Sequence, residues 1–275
     1  MTADVRVRSA DLEDFEGIAA VAVATDQAGE GAGADPRYAG HLLSRGNLVV
    51  ATDRDEVVGY AATTRIDDSD LLSDLFVLPQ LHAQGIGRAL LDEVWTDAPA
   101  RMTFSSSHPS AVPLYLRYGL VPRWPVVYLA GDASALPPSS LVVDEVSSEQ
   151  AAKIERKLGG GDRAVDYGYW TARPNARAVV VRTDLEDVAV GCIGGDGKER
   201  GLSHLRVGEP TAAADALLAV LHSTTGRLTV AAPGPISGVT TLISNGWRVL
   251  DIDLFAATRP GLVDPEVIFP HAGLL

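Results

Sequence analysis

Strand and helix patterns alternate along the first part of the chain. Residues 5–8 alternate between valine and arginine, as in a half-buried strand, and residues 9–21 follow the spacing of an amphipathic helix. Apolar runs at 48–51 and 57–62 predict two strands joined by a polar turn of the hairpin kind. A third strand ends in residues 74–77, so the chain opens as a strand, a helix and an antiparallel meander.

A helical pattern follows this third strand directly. The apolar run at 75–78 passes through a glycine turn, and from Gly87 the apolar positions recur with helical spacing. A strand at 101–105, a helix at 111–118 and a strand at 121–129 come next. This order predicts an α/β fold with a central mixed, mostly antiparallel sheet flanked by helices.

The second half of the chain repeats this plan. Gly119 and Gly246 are 127 residues apart, as are Leu90 and Leu217, which favours an internal duplication. The predicted elements of the second half are strands at 178–182, 188–193, 202–207, 228–231 and 248–257 and helices at 212–221 and 237–244.

A length of 275 residues favours two domains over one. A segment rich in proline and serine at 137–140 predicts a linker. We therefore expect one domain at 1–130, a linker at 131–145 and a second domain at 146–275. Residues 29–35, rich in glycine and alanine, predict a loop in the first domain, followed by a weak helical pattern through Tyr38, Leu42 and Leu43.

Composition restricts the class of protein. A net charge of −13 argues against nucleic-acid binding, and 46% hydrophobic residues fit a globular protein. Cys192 is the only cysteine, so no internal disulfide and no cysteine-rich metal site is expected. No apolar run approaches the ~20 residues of a membrane span, and the charged start does not resemble a signal peptide. We expect a cytoplasmic protein.

The glycine turn between strand and helix is the clearest candidate site. Gly85 and Gly87 remove side chains where the chain enters the helix, whose first N–H groups have no helical partner. Such a turn suits phosphate oxygens. It lacks the third glycine of a dinucleotide fingerprint and the Lys-Ser or Lys-Thr of a nucleotide P-loop.

This turn resembles the pyrophosphate loop of the GNAT acetyltransferases. The family pattern is Gln or Arg, two residues, Gly, one residue, then Gly or Ala, and here it falls on His82, Gly85 and Gly87. The resemblance implies acetyl-CoA as cosubstrate and a backbone cradle over 84–89. The cofactor-binding residues it implies are Phe76, Val77, Leu78, His82, Ala83, Gln84, Gly85, Ile86, Gly87, Arg88, Ala89, His108 and Tyr115.

A second family motif follows behind the loop. It is carried by His108, Ala111, Leu114, Tyr115 and Gly119, with His108 at a position where the family often has asparagine. An imidazole can still donate one hydrogen bond there. Tyr115 is the candidate proton donor to the departing thiolate, although a tyrosine on such a helix can also serve only in packing.

For the base that takes the proton from an amine, Asp74 is the best-placed carboxylate, because it lies on the strand that leads into the loop. A water chain to bulk solvent is the alternative. The predicted activity is acetyl transfer to a primary amine of a small molecule by direct attack. A non-catalytic acyl-CoA-binding or regulatory protein is the second hypothesis, and either a monomer or a homodimer is compatible with the sequence.

The second half lacks the features that carry this chemistry. Residues 208–211 enter the helix without the glycine pair, Glu209 places a negative charge where phosphate would bind, and Leu242 stands at the position of Tyr115. We therefore expect a degenerate second domain that forms a wall of the acceptor pocket, since pockets favour domain interfaces.

Overall fold

A computed structural model describes residues 5–25, 35–95, 97–106, 108–197 and 200–275. Part of the predicted loop, 29–34, lies outside these residues. The first half contains β1 (Val5–Ser9), α1 (Phe15–Ala24), α2 (Pro36–Arg45), β2 (Gly46–Asp53), β3 (Glu56–Ile66), β4 (Ser69–Val77), α3 (Ile86–Val94), β5 (Ala100–Ser105), α4 (Ala111–Arg117) and β6 (Val121–Asp132).

The second half contains the same series with one strand added. Its elements are β7 (Val142–Val146), α5 (Ser148–Lys157), α6 (Ala164–Thr171), β8 (Arg177–Arg182), β9 (Asp187–Gly194), β10 (Gly201–Val207), α7 (Ala213–His222), β11 (Arg227–Pro233), α8 (Gly238–Ser244), β12 (Arg248–Ala257) and β13 (Ile268–Phe269). The predicted mixed α/β fold is confirmed. The pattern analysis missed β7, α5, α6 and β13.

Local chemistry explains where several elements begin. The side chain of Asp35 accepts a hydrogen bond from the amide of Arg37, and Pro36 follows it as the first residue of α2. Ser147 and Gln150 form a reciprocal capping box at the start of α5. Arg54 and Asp55 both have positive φ, as a tight hairpin turn between β2 and β3 requires.

All thirteen strands among the described residues belong to one sheet, and its order shows a strand exchange between the halves. The order is β1-β2-β3-β4-β5-β12-β6-β11-β10-β9-β8-β7, with β13 paired to β10. The sixth strand of each half, β6 or β12, therefore lies beside the fifth strand of the other half. Residues 102–105 of β5 pair with β12, while β11 pairs with β6 along its whole length. The first half alone contains only one neighbour of its own β5, which is β4, and the second neighbour, β12, comes from the other half.

The halves also share a hydrophobic core. Tyr60 of β3 and Leu42 of α2 belong to one buried cluster with Trp170 of α6 and Val190 of β9. Leu274, in the tail, lies in the same cluster, whereas Phe269 packs in the separate core beneath α7. The apolar tail thus contacts the core between the halves as well as the core of the second half.

A repeated irregularity confirms that β4 and β10 are equivalent strands. In β4 the register with β3 shifts around Ser73, and in β10 the register with β9 shifts around Ser203. An extra residue at this point is a β-bulge, which bends a strand. The bulges are 130 residues apart, so His204 of the second half occupies the position of Asp74.

Candidate functional site

The candidate site begins where β4 and β5 separate. The two strands pair in parallel from Ser69 and Ala100 as far as Leu72 and Thr103. Beyond this point β4 pairs only with β3, as far as Val77, and β5 pairs only with β12. The bulge at Ser73 lies at the point of separation. Backbone groups of the last part of β4 therefore face an opening in the sheet.

The glycine turn follows the end of β4 and lies at that end of the opening. Gly85 has a φ of 88° and stands directly before α3, so the turn uses a conformation that favours glycine. The amide of Ala89 donates to the carbonyl of Gly85 at 3.0 Å as the first bond of the helix. The amides of Ile86, Gly87 and Arg88 precede this bond at the positive end of the helix dipole.

The space at the two glycines differs from that at a packed glycine. A Cβ at Gly85 would meet no heavy atom within 4 Å, and a Cβ at Gly87 would lie 3.9 Å from a side-chain carbon of Leu114. Neither glycine is required by close packing of the protein against itself. The room above the turn is available to a bound group.

The two histidines of the motifs lie beside each other at this turn. The ring of His82 is 6.0 Å from the ring of His108, edge to face. His82 Nε2 donates to the carbonyl of Val77 at 2.8 Å, so this side chain ties the turn to the end of β4. His108 Nδ1 accepts from the hydroxyl of Ser110 at 2.8 Å. A direct contact of either ring with a cofactor stays a prediction.

Asp74 is buried between two tyrosines. Its carboxylate oxygens lie 3.4 Å from the hydroxyl of Tyr38 and 3.3 Å from the hydroxyl of Tyr60. Burial raises the pKa of Asp74 to about 7, although both hydroxyl donors act to lower it. A carboxyl group with this pKa can both take and release a proton near neutral pH.

Tyr115 lies in the apolar cluster beneath α3 and is 8% exposed. Burial raises the pKa of its hydroxyl, and the charges of Asp253 and then Asp74 raise it further. The structure thus brings Tyr115 within electrostatic range of the predicted base. It also places a second carboxylate nearby, from β12 of the other half.

Sequence reasoning missed three of these polar neighbours. Tyr38 lies on a helix with a weak pattern, Tyr60 reads as a core position of a strand, and Asp253 is 138 residues from Tyr115. Only the first two carry a local signal, since both are large polar aromatics at apolar positions.

A buried ion-pair network fixes the helix that carries Tyr38. Asp166 of α6 accepts from His41 Nε2 at 2.9 Å, from Arg45 at 3.1 Å and from Arg163 at 3.1 Å. Hydrogen bonds from His41 and the charges of the two arginines lower the pKa of Asp166 to about 2, against its burial. α2 of the first half is therefore joined to α6 of the second through a carboxylate that is ionised at neutral pH.

The corresponding region of the second half is filled by the protein itself. His204 is completely buried, and its Nε2 lies 3.0 Å from Oε1 of Glu155. Beside β10 the opening is occupied by β13, with Leu205 opposite Phe269 and Arg206 opposite Ile268. These two β10 residues correspond to Leu75 and Phe76, which border the open cleft in the first half.

Neither a metal site nor a membrane helix emerges from the described ranges. Within them, no three histidine, cysteine, aspartate or glutamate side chains are grouped so that they could hold a metal ion. No described helix combines the length and the apolar character needed to cross a membrane. Cys192 is buried, and burial raises the pKa of its thiol to about 11.

The chain is similar to known acetyltransferases. Residues 34–131 match the model of the acetyltransferase (GNAT) domain. A protein described as an acetyltransferase from Pyrococcus horikoshii superposes with a TM-score of 0.74 at 16% identity, over 98% of this chain and 95% of that one. No match was found among curated proteins.

Two further solved structures share the fold. A GCN5-related N-acetyltransferase from Kribbella flavida has a TM-score of 0.58 at 15% identity, over 93% of this chain and 71% of that one. A tandem GNAT protein from the clavulanic acid biosynthesis pathway has a TM-score of 0.56 at 14% identity, over 95% of this chain and 100% of that one. The resemblance to the GNAT fold that the two motifs carry is confirmed.

Proposed function

We propose that this chain, which contains a GNAT acetyltransferase domain in its first half, transfers an acetyl group from acetyl-CoA to a primary amine of a small molecule. The observation that carries the proposal is that Tyr115 packs in one apolar cluster with Leu72 and Val77 of β4. This is the strand that carries Asp74 and that stops pairing with β5 after Leu72. The open turn at Gly85 and Gly87 lies at the end of the opening between β4 and β5.

The cosubstrate supplies an activated acyl group as a thioester when it is bound. The amides of Ile86, Gly87 and Arg88 would hold its phosphates, since they lie in the first turn of α3, where N–H groups have no partner within the helix. The backbone of β4 from Ser73 to Val77 would hold its extended arm through the hydrogen-bonding groups that face away from β3. His82 would keep the turn attached to β4.

Asp74 is the proposed base. An amine is protonated near neutral pH and must lose a proton before its nitrogen attacks the thioester carbon. A carboxylate whose pKa of about 7 is close to the pH of the solution can accept such a proton and release it again. Tyr38 and Tyr60 orient both of its oxygens.

Tyr115 is the proposed acid. As the carbon–nitrogen bond forms and the carbon–sulfur bond breaks, the electron pair of the broken bond stays on sulfur. The Tyr115 hydroxyl donates its proton to that sulfur, which leaves as the thiol. The nitrogen loses its first proton to Asp74 before the attack, and its second proton, lost as the amide forms, returns to the Tyr115 oxygen, while Asp74 later releases its proton to solvent. Protons and electrons therefore balance within the site.

The second half is proposed to be non-catalytic. Its cleft position is filled by β13, Glu209 stands in its loop, and Leu242 replaces the proposed acid. It also supports the active half, because β12 pairs with β5, and α6 and the tail pack with α2 and Tyr38 in one buried cluster.

Release of free thiol from acetyl-CoA across a panel of primary amines tests the proposal. Tyr115→Phe should lower kcat by about 10²-fold, the usual contribution of a positioned acid. Tyr118→Phe is the matched control, because Tyr118 follows directly after the same helix and its hydroxyl donates to Asp92. Tight acetyl-CoA binding with no thiol release for any amine would favour the acyl-CoA-binding alternative, and an unchanged rate in Tyr115→Phe would remove Tyr115 from its role.

A further inference from the structure

The exchanged strand β12 brings a carboxylate to the open end of the cleft. Leu254 pairs with Ser105, the last residue of β5, so the preceding residue of β12, Asp253, lies just beyond the point where β5 ends. On its other side Asp253 is opposite Val126 of β6. The second half therefore supplies a charged side chain at the place where the first half is open.

The carboxylate of Asp253 is held in a defined orientation. It is only partly exposed, and its Oδ2 accepts a hydrogen bond of 2.8 Å from the hydroxyl of Tyr128 on β6. The bond crosses between neighbouring strands of the sheet. A carboxylate held in this way loses less side-chain conformational entropy when it binds a cation than a freely rotating one does.

Tyr115 shows that this carboxylate belongs to the candidate site. Beyond the effect of burial, the negative charges of Asp253 and then Asp74 raise the pKa of its hydroxyl. The proposed acid thus lies within electrostatic range of two carboxylates, one from each half of the chain. A cation bound near these carboxylates would oppose their effect on the pKa of Tyr115.

We propose that Asp253 is a specificity-determining residue that binds a second positive charge on the acceptor. The acceptor is then a molecule with two cationic groups, one of which is the reacting amine near Asp74. This inference rests on the proposed function, because it assigns the acceptor of the same site.

The net charge of −13 supports a cationic acceptor in a general way, since a negative protein attracts cations from solution. Specificity, however, needs an oriented group. Asp253 meets this condition through Tyr128, whereas Asp251 on the same strand is exposed and its carboxylate accepts from the amide of Ile252.

Calorimetric binding of 1,5-diaminopentane and of pentylamine to the full-length protein in the presence of CoA tests the inference. The two probes have equal chain length and differ in one charge. We expect the diamine to bind at least about tenfold more tightly, as a hydrogen-bonded ion pair provides. Asp253→Asn should abolish the difference, Tyr128→Phe should reduce it, and Asp251→Asn should preserve it.

The outcomes separate this inference from the proposed function. Equal binding of the two probes to the unaltered protein, or an undiminished preference in Asp253→Asn, would overturn the inference whether or not acetyl transfer occurs. A diamine preference that depends on Asp253 in a protein that releases no thiol would support the inference and refute the transferase proposal. Circular dichroism of each variant verifies that the fold is retained.

Discussion

Gly273, in the tail of the second half, lies directly against the hydroxyl of Tyr38. A Cβ at this position would overlap the Tyr38 oxygen, which in turn lies 3.4 Å from the carboxylate of Asp74. Arg163 holds the same tail segment through the carbonyl of Leu274 at 2.6 Å. The tail therefore sets the position of a tyrosine that orients the proposed base.

Gly273→Ala should displace Tyr38 and weaken its hydrogen bond to Asp74. Because that bond lowers the pKa of Asp74, its loss should move the pKa upward from about 7. The measurement is the pH profile of kcat/KM with acetyl-CoA and the best amine of the panel. Gly168→Ala, where a Cβ would meet nothing within 4 Å, is the control and should leave the profile unchanged.

The unaltered enzyme should itself gain activity as the pH rises through the pKa of Asp74. The base is protonated below a pH of about 7 and becomes available above it, so kcat/KM should rise and then level off. Asp74→Asn should lose most of this rate and its rising limb. A variant that keeps the limb would show that a water chain serves instead.

Asp74 should also destabilise the fold at neutral and higher pH. Its pKa is raised on folding from 3.8 to about 7, so the unfolded state loses the proton first. Its cost to folding should begin near pH 4, grow until about pH 7 and amount to at most about 4 kcal/mol. Urea unfolding should therefore show Asp74→Asn more stable than the unaltered protein at high pH, with much of the gain absent at pH 4.

Asp166 should have the opposite effect. Its pKa is lowered from 3.8 to about 2, so it stabilises the fold above a pH of about 4 and loses this contribution as the pH falls toward 2. Asp166→Asn should cost about 3–5 kcal/mol, because the carboxylate shared by His41, Arg45 and Arg163 is removed from a buried network. Asp144→Asn, in an exposed pair with Arg182, should cost less than about 1 kcal/mol.

A bulky side chain in the glycine turn should weaken acetyl-CoA binding. Gly87→Leu places a side chain above the first turn of α3, and we expect at least a tenfold rise in Kd by calorimetry because the phosphates would be displaced. Gly168→Leu, at an exposed helix position, controls for the helix itself. Binding that is unchanged in Gly87→Leu would refute the assignment of the loop.

Much of the first half follows from its pattern. The hairpin at 53–56, the glycine turn and the helix after it all carry strong local signals, and the structure has β2, β3 and α3 where these signals predict them. The strand exchange carries no such signal. β6 and β12 are equivalent strands, so either can complete either half, and only the packing of the whole chain decides between them.

The sequence predicted only those residues of the candidate site that lie in a short, recognisable segment of the chain. Asp74 and Tyr115 follow from motifs, but Asp253 and Gly273 reach the site through the exchange and the tail, which no short window contains. The sequence does contain a local sign that β4 and β10 are equivalent strands. The segment Leu202-Ser203-His204-Leu205 repeats Leu72-Ser73-Asp74-Leu75 except at the third residue. The proposed domain boundary at 131–145 stays a prediction, and the exchange shows that cutting there would divide both sheet halves.

The exchange also has a consequence for synthesis of the chain. When residues 1–132 have left the ribosome, the strand that β5 requires on its outer side, β12, has not yet been translated. More than a hundred further residues must be translated before β12 is available. Until then β5 either has one edge exposed or pairs temporarily with β6 of its own half. Dissociation of β5 from β6 would then be a required step in folding. A chain truncated after the first half would keep an exposed, aggregation-prone strand edge and would not form an independent functional domain.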